Sequence, residues 1–312
     1  MKNELTLNEN LAQQLEQDPA YRIVRKFDSK TLFETQPIPD GADVGIGLVL
    51  DTETTGREDH DKIVELGMIS FAYNRQTGQI YHALDCFNAL EDPGMPISPE
   101  ASAVNGITDD MVKGHRIDDD TVQSMVESVD FVIAHNAGFD RPYCERRFSF
   151  FKAKKWACSY SQMDWAAVGV GSSKLEYIAY RLGFFYDAHR AENDCLALLN
   201  ALRLPLPGLN GTNAMALVLE QMAKETRRIW ATGAPFDAKD ILKARGYRWS
   251  DGTKPDTEKA WNFEVAADEL EAELAWLKEN AFYRRQYSIP VDHTTSFNRF
   301  SGRRGQSERL YR

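Results

Sequence analysis

GIGLVLDTETTG, Gly45 to Gly56, is the stretch on which the reading of this chain turns. Its first half is a short apolar run bounded by glycine, the composition of a strand buried on both faces, and it ends on Asp51 and Glu53. Side chains alternate along a strand, so two acids two residues apart project to the same side. Taken alone, Asp-x-Glu also fits a pair of acids on a solvated strand edge. A central strand favours a shared metal instead, because unpaired carboxylates are costly where water is excluded.

Working outward, KIVELGMISFAY (Lys62 to Tyr73) and GQIYHALDCF (Gly78 to Phe87) read as two further strands, joined through the turn signal NRQTG at Asn74 to Gly78. A proline-rich loop, EDPGMPISPE, leads to a helix near Asp120 to Ser128 and then to DFVIAHN, another buried strand. From Asp140 to about residue 203 helical patterns dominate. RPYCERRFSFF carries Pro142 in a first turn, and SSKLEYIAYRLG has a serine cap, with Leu175, Ile178, Ala179 and Leu182 on one face and Gly183 as a stop. AENDCLALLNALRL supplies the last helix. Three strands, then helix, strand and helices, predict an α/β fold with a mixed sheet flanked by helices.

The segments divide as follows. Residues 1–45 are a polar lead-in, 46–205 the main domain, and 206–230 a linker and connecting helix opening on PLPGLNGTN. Residues 231–288 form a small α+β unit and 289–312 an arginine-rich tail open to disorder. In the small unit PFDAKDILKARGYRW reads as an Asp237-capped helix stopped by Gly246 and followed by a strand through Trp249. A return strand and an amphipathic helix bearing Leu270, Leu274 and Leu277 complete it.

A formal charge of −10 argues at first sight against a nucleic-acid partner, but its distribution is uneven. From Ala281 onward seven arginines face only Asp292 and Glu308. Cations held by catalytic acids would neutralise more of the negative charge where substrate enters. The four cysteines are scattered without a CxxC pair, so reduced thiols are expected rather than a zinc site. No secretory h-region and no run of about 18 apolar residues is found, and the expectation is a soluble, cytoplasmic protein with no membrane partner.

Asp140 stands where an apolar strand gives way to a helix, a place for functional groups or for an ordinary N-cap. His189 and Asp194 are five apart and would not share a helix face; they fit if His189 lies on the loop and Asp194 inside the helix. Several acids at strand and helix ends with one histidine nearby are what a two-metal phosphodiester hydrolase uses.

DTETTG, HNAGFD and HRAEND resemble the three signature motifs of the DnaQ-like 3′ to 5′ exonucleases, in the branch with a histidine in its third motif. PISPEASAVNGITDDMV is similar to the segment that family carries between its first two motifs. The resemblance covers about residues 46 to 203, with none of the five key positions departing from it. Arg190 stands where the sibling branch has tyrosine. It implies a ribonuclease H-like fold and a metal-dependent 3′ to 5′ exonuclease releasing nucleoside 5′-monophosphates from DNA. Two divalent cations, Mg2+ or Mn2+, would lie on Asp51, Glu53, Asp140 and Asp194, with Asp51 bridging and His189 as the base. It also implies that the backbone of Thr54 and Thr55 and the side chain of Asn136 lie near the terminal nucleotide. Glu65 is assigned a structural hydrogen-bonding role in preference to a metal.

The expected partner is a single-stranded or frayed 3′ end of DNA. Alternatives are an exoribonuclease or oligoribonuclease acting on RNA, and an accessory proofreading subunit that mainly binds a polymerase or repair partner. Around the predicted hairpin Lys243, Arg245, Tyr247, Arg248, Trp249, Lys259 and Trp261 could bind a single strand. The reading favoured for Trp249, Trp261 and Trp276 is a small core. Removing residues 231–312 is then expected to weaken binding and spare the chemistry.

Overall fold

The structure, a computed structural model, describes residues 7–253 and 256–312. The opening stretch forms β1 (Val44–Thr54), followed by β2 (Ile63–Asn74), β3 (Ile80–Leu90), β4 (Phe131–Ala134) and β5 (Lys155–Cys158). Their order in the sheet is β3-β2-β1-β4-β5; β1, β2 and β3 are antiparallel neighbours, while β4 and β5 run parallel to β1. This is the mixed sheet that the strand order predicted. β5 went unread: four residues starting on an exposed lysine give too short an apolar run to separate from the helical patterns around it.

Alternation along β1 sorts its side chains between two cores. Val49 packs with Ile69, Ile133 and the helix Ala191–Arg203, whereas Leu48 and Leu50 pack with Met68, Val132 and the helix Ala137–Arg147. Asp51 and Glu53 continue the Val49 side and Thr52 the Leu50 side, by the same period of two. The acids are therefore carried on the face that the Ala191–Arg203 helix covers.

Beyond the predicted linker a second sheet forms from β6 (Thr226–Ala231), β7 (Arg248–Asp251), β8 (Lys259–Ala266), β9 (Ser288–Thr294) and β10 (Ser307–Tyr311), in the order β10-β9-β6-β8-β7. Four expectations change here. The connecting helix stops at Ala223 and TRRIWA is a central strand, its Ile229 and Ala231 on the core face and Arg228 and Trp230 on the other. The arginine-rich tail is ordered, because β9 pairs with both β6 and β10. The helix after Phe236 begins at Lys239 without a cap from Asp237, and Gly246 ends it at φ 106°. Trp249 is 54% exposed, edge-on to Trp261, so it is not core; the buried tryptophan of this unit is Trp230, bonded to Asp292.

The lead-in is tied down as well. Arg25 joins Glu9 and Glu16 of a helix at Leu7–Glu16, and Arg25–Lys26 pairs in parallel with Phe184–Phe185. Cys144, Cys158 and Cys195 are buried free thiols, and Cys86 is an exposed one. Among the described residues no helix is long and apolar enough to cross a membrane.

Candidate active site

Asp51, Glu53 and Asp194 each offer a carboxylate oxygen, and these oxygens lie within 4.8 Å of one another. Two come from the end of β1. The third comes from the first turn of α2, the name used here for Ala191–Arg203, with α1 for Ala137–Arg147. Close packing brings α2 onto the sheet: a Cβ on Gly67, the residue opposite Asp51 in β2, would lie 2.5 Å from the Ala191 carbonyl carbon. Only glycine lets the helix start this near the acids.

Glu65 seats the same helix. Fully buried, its carboxylate accepts from Arg190 Nη2 at 2.6 Å, from the Ala191 N–H at 3.1 Å and from Asn88 Nδ2 at 3.0 Å. Burial alone would raise its pKa, but these donors outweigh it and hold it below the ordinary range. Glu65 thus has the structural role assigned to it. Asp194 is bound in turn by the Tyr186 hydroxyl at 2.8 Å and by the N–H groups of His189 and Arg190 at 2.8 and 3.1 Å. Neither Arg190 nor Tyr186 is legible as a site residue in the sequence, because their partners are a strand away or set by the loop's path, which no local pattern reveals.

The fourth acid is held from the other face. Asp140 is buried, and its Oδ1 accepts from the Thr52 N–H at 3.1 Å and hydroxyl at 2.8 Å. It is not the N-cap of α1, since the helix begins three residues earlier after Asn136, at a left-handed φ of 82°. Pro142 accordingly lies inside the helix rather than in its first turn. His189 does not join the cluster through its ring. The residue has φ 67°, its imidazole is 52% exposed, and Nε2 faces Glu176 Oε1 at 3.6 Å.

Of the anticipated nucleotide contacts, Thr54 helps line a cleft of about 570 Å³ with Glu53, Arg57, Ser98, Asn105 and Phe139. The Thr55 N–H is spent on the Lys62 carbonyl at 2.9 Å, and its hydroxyl on Asp61 at 2.6 Å. Asn136 is exposed and its side chain makes no cap bond. His135 of the same motif is a structural tie: Nε2 meets the Ser173 carbonyl and Nδ1 the Ser159 hydroxyl, each at 2.8 Å. The carbonyl can only accept, so the proton is on Nε2. Burial pushes this imidazole down to about 4, keeping it neutral.

Burial raises all four acids, and neighbouring carboxylate charge adds to it at Asp51, Glu53 and Asp140. Burial pushes Asp51 well above the carboxylate range, reinforced by the charges of Asp140, Asp194 and Glu53. Burial and then the Asp194 charge push Glu53 up to about 7, against a hydrogen bond from Asn105. Asp140 is also pushed up to about 7 by burial, in spite of its two bonds from Thr52. Asp194 is raised by burial more than Tyr186 and the loop N–H groups lower it. Among the described residues no lysine or arginine is ion-paired with any of the four. An all-oxygen donor set, short of positive charge, fits a hard divalent cation.

An exonuclease family model (RNase_T) matches residues 48–202. The chain is 30% identical to DNA polymerase III subunit epsilon of Treponema pallidum over 167 residues, which are 49% of this chain and 74% of that protein. It is 36% identical over 137 residues to the PolC-type DNA polymerase III of Listeria welshimeri, covering 39% of this chain but 9% of the relative's length. Among solved structures it is similar to Exonuclease X in complex with 5′ overhanging duplex DNA, at 22% identity and a TM-score of 0.38, over 56% of this chain and 90% of that one. It is also similar to the zinc-bound Exonuclease I–ssDNA complex of E. coli, at 13% identity and a TM-score of 0.49, over 77% and 72%.

Proposed function

The chain belongs to the exonuclease family, and from that premise we propose that it is a metal-dependent 3′ to 5′ exonuclease that hydrolyses DNA from the 3′ end and releases nucleoside 5′-monophosphates. The observation that carries this reading is the convergence of Asp51, Glu53 and Asp194 oxygens within 4.8 Å beside an open cleft. These three residues, with Asp140 from the opposite face, would hold two Mg2+ or Mn2+ ions. Bound there, such ions lower the pKa of a water and neutralise charge on a phosphate. The protein's own part is to hold these carboxylates at the end of β1, where burial first, and the charges of neighbouring carboxylates second, raise their pKa values. His189, on the loop tied to Asp194, would accept the proton of the attacking water.

DNA is favoured over RNA because the relatives carry the names of DNA polymerase III subunits. The same names favour a polymerase as protein partner, to be sought by co-elution of the full chain with a replicative polymerase. Free thiols support a cytoplasmic setting.

The test is digestion of single-stranded DNA labelled at either end, with Mg2+, Mn2+ or excess chelator. The 5′-labelled strand should shorten stepwise, while the 3′ label leaves first as a mononucleotide. Loss of the 5′ label first, full activity in chelator, or retention of activity by both Asp51→Ala and His189→Ala would overturn the proposal. An equal or faster rate on a matched RNA strand would overturn the choice of DNA.

A further inference from the structure

We infer that Arg141 and the loop joining β9 to β10 form a positioning clasp for Asp140, which makes the C-terminal sheet part of the nuclease site's framework. The inference rests on the proposed role of Asp140 at the metals. Arg141 follows Asp140 in α1 and is fully buried. Successive residues on a helix point about 100° apart, so the two side chains leave the helix in different directions. Asp140 reaches Thr52 on β1, while Arg141 reaches into a loop more than 150 residues away.

There every guanidinium nitrogen finds an acceptor. Nη1 donates to the carbonyls of Ser296 at 3.2 Å and Arg299 at 2.7 Å, Nη2 to that of Phe297 at 2.5 Å, and Nε to Glu145 one turn along at 2.7 Å. The loop answers with a second tie. Arg303 Nη2 lies 2.9 Å from Glu145 Oε1, and the Ser301 hydroxyl donates to Oε2 at 2.6 Å. Beside it the Trp156 N–H, on the edge strand β5, donates to Ser296 O at 2.8 Å. Arg299 anchors the far side of the loop by donating to Lys224 O at 2.6 Å.

These contacts do more than bury a helix. Three carbonyls converging on one planar fork fix both the height and the rotation of α1 at the residue next to Asp140. A lysine supplies the charge without the fork and cannot satisfy all three. Thr52 fixes the carboxylate only relative to β1, so without the clasp the helix can shift and carry Asp140 with it. Misplacement by about 1 Å is enough to cost on the order of 10²-fold in rate.

The experiment compares the full-length protein with Arg141→Met, Arg141→Lys and Arg303→Ala, at a temperature where circular dichroism shows each folded. kcat, KM and the Mn2+ concentration for half-maximal rate are measured, and Mn2+ binding is followed separately as the rise in Tm on titration. Arg141→Met should lower kcat by about 10- to 10²-fold, leave KM within about twofold and weaken Mn2+ binding, with Arg141→Lys between it and wild type. If Arg141→Met fails to fold, Arg303→Ala decides, with a smaller shift in the same direction. A folded Arg141→Met, or in its absence Arg303→Ala, with unchanged kcat and Mn2+ binding overturns the clasp. If the wild-type protein shows no cation-dependent hydrolysis, the functional reading has failed. The clasp then stands or falls on the Mn2+ titration alone, where equal binding by wild type and variant rejects it.

Discussion

Asp194 and Asp140 approach the end of β1 from opposite faces of one sheet, and they are held there in different ways. Asp194 is secured from within the nuclease sheet: Gly67 lets α2 touch β2, and Glu65 grips Arg190 and the first N–H of the helix. Asp140 rides on α1, whose next residue is gripped by the C-terminal unit. The first support is built from strands adjacent in sequence, the second from chain more than 150 residues away. One acid can therefore be disturbed through the sheet and the other through the distant loop, and substitutions should separate the two.

The largest effect on catalysis is expected at Gly67. A Cβ there would lie 2.5 to 2.7 Å from backbone atoms of Ala191 and Glu192, which cannot yield as a flexible side chain would. Gly67→Val should lift the first turn of α2, lowering kcat by at least about 10²-fold and destabilising the fold by roughly 1–3 kcal/mol. Steady-state kinetics and thermal melts check both. A variant with wild-type kcat would mean that the Asp194 position is not set by this contact.

Arg190→Met comes next, because it leaves Glu65 buried without its cation. Breaking a buried pair costs about 3–5 kcal/mol, and the 40% exposure of the Arg190 side chain argues for the low end. Urea unfolding would show it as a lower midpoint at unchanged slope. Glu65→Gln should cost less, since the amide still accepts from the Ala191 N–H. If Glu65→Gln cost more than Arg190→Met, the charge of Arg190 would not be the main partner.

Two acids of the site, Glu65 and Glu53, give opposite pH dependences. Glu65 is lowered, so its stabilisation is present above its unfolded pKa of about 4.3 and is lost as pH falls through its folded value. Glu53 and Asp140 are raised to about 7. Their contribution is fully present below unfolded values near 4 and is lost as pH rises through about 7. In chelator, Tm should therefore climb as pH falls from about 8 to about 5, since the folded state binds more protons across that window. Mn2+ should shrink or reverse the climb, because metal ligation requires the ionised carboxylates. A metal-free Tm that is flat over this range would deny that Glu53 and Asp140 are raised.

What the amino-acid sequence made legible follows the same division. The sheet was readable because β1 and β2 are long apolar runs and β3 begins as one, all bounded by turn residues, and Asp51 and Glu53 could be placed at the end of β1 by a period of two. The resemblance of three motifs then grouped five residues that no periodicity could have joined. Arg141, by contrast, reads as one basic residue in a basic helix. Its partners are backbone carbonyls, which carry no residue signature, in a segment whose arginines suggested disorder. TRRIWA was drawn into a helix because two arginines mask its alternation. Once β6 and β9 are strands, the truncation of residues 231–312 changes meaning: it would strip the partners of a fully buried arginine beside Asp140 and uncover the edge of β5. Sparing the chemistry, as the sequence alone suggested, is no longer the expected outcome.

The smallest effect is expected on the Asp140 side, at Gly138, and it sharpens the contrast with Gly67. Gly138 lies in the first turn of α1, two residues before Asp140, and a Cβ there meets nothing within 4 Å. Its φ is not in the left-handed range, so alanine is accommodated without strain. Gly138→Ala should raise stability by about 0.5–1 kcal/mol, the ordinary gain of alanine over glycine in a helix. If the open space above Gly138 is only solvent, kcat and KM should stay within about twofold of wild type, which is about 0.4 kcal/mol. A variant that is more stable yet binds substrate more weakly would show that a strand of substrate passes over this turn. The two glycines would then serve opposite purposes, one admitting the protein's own helix and the other admitting its substrate.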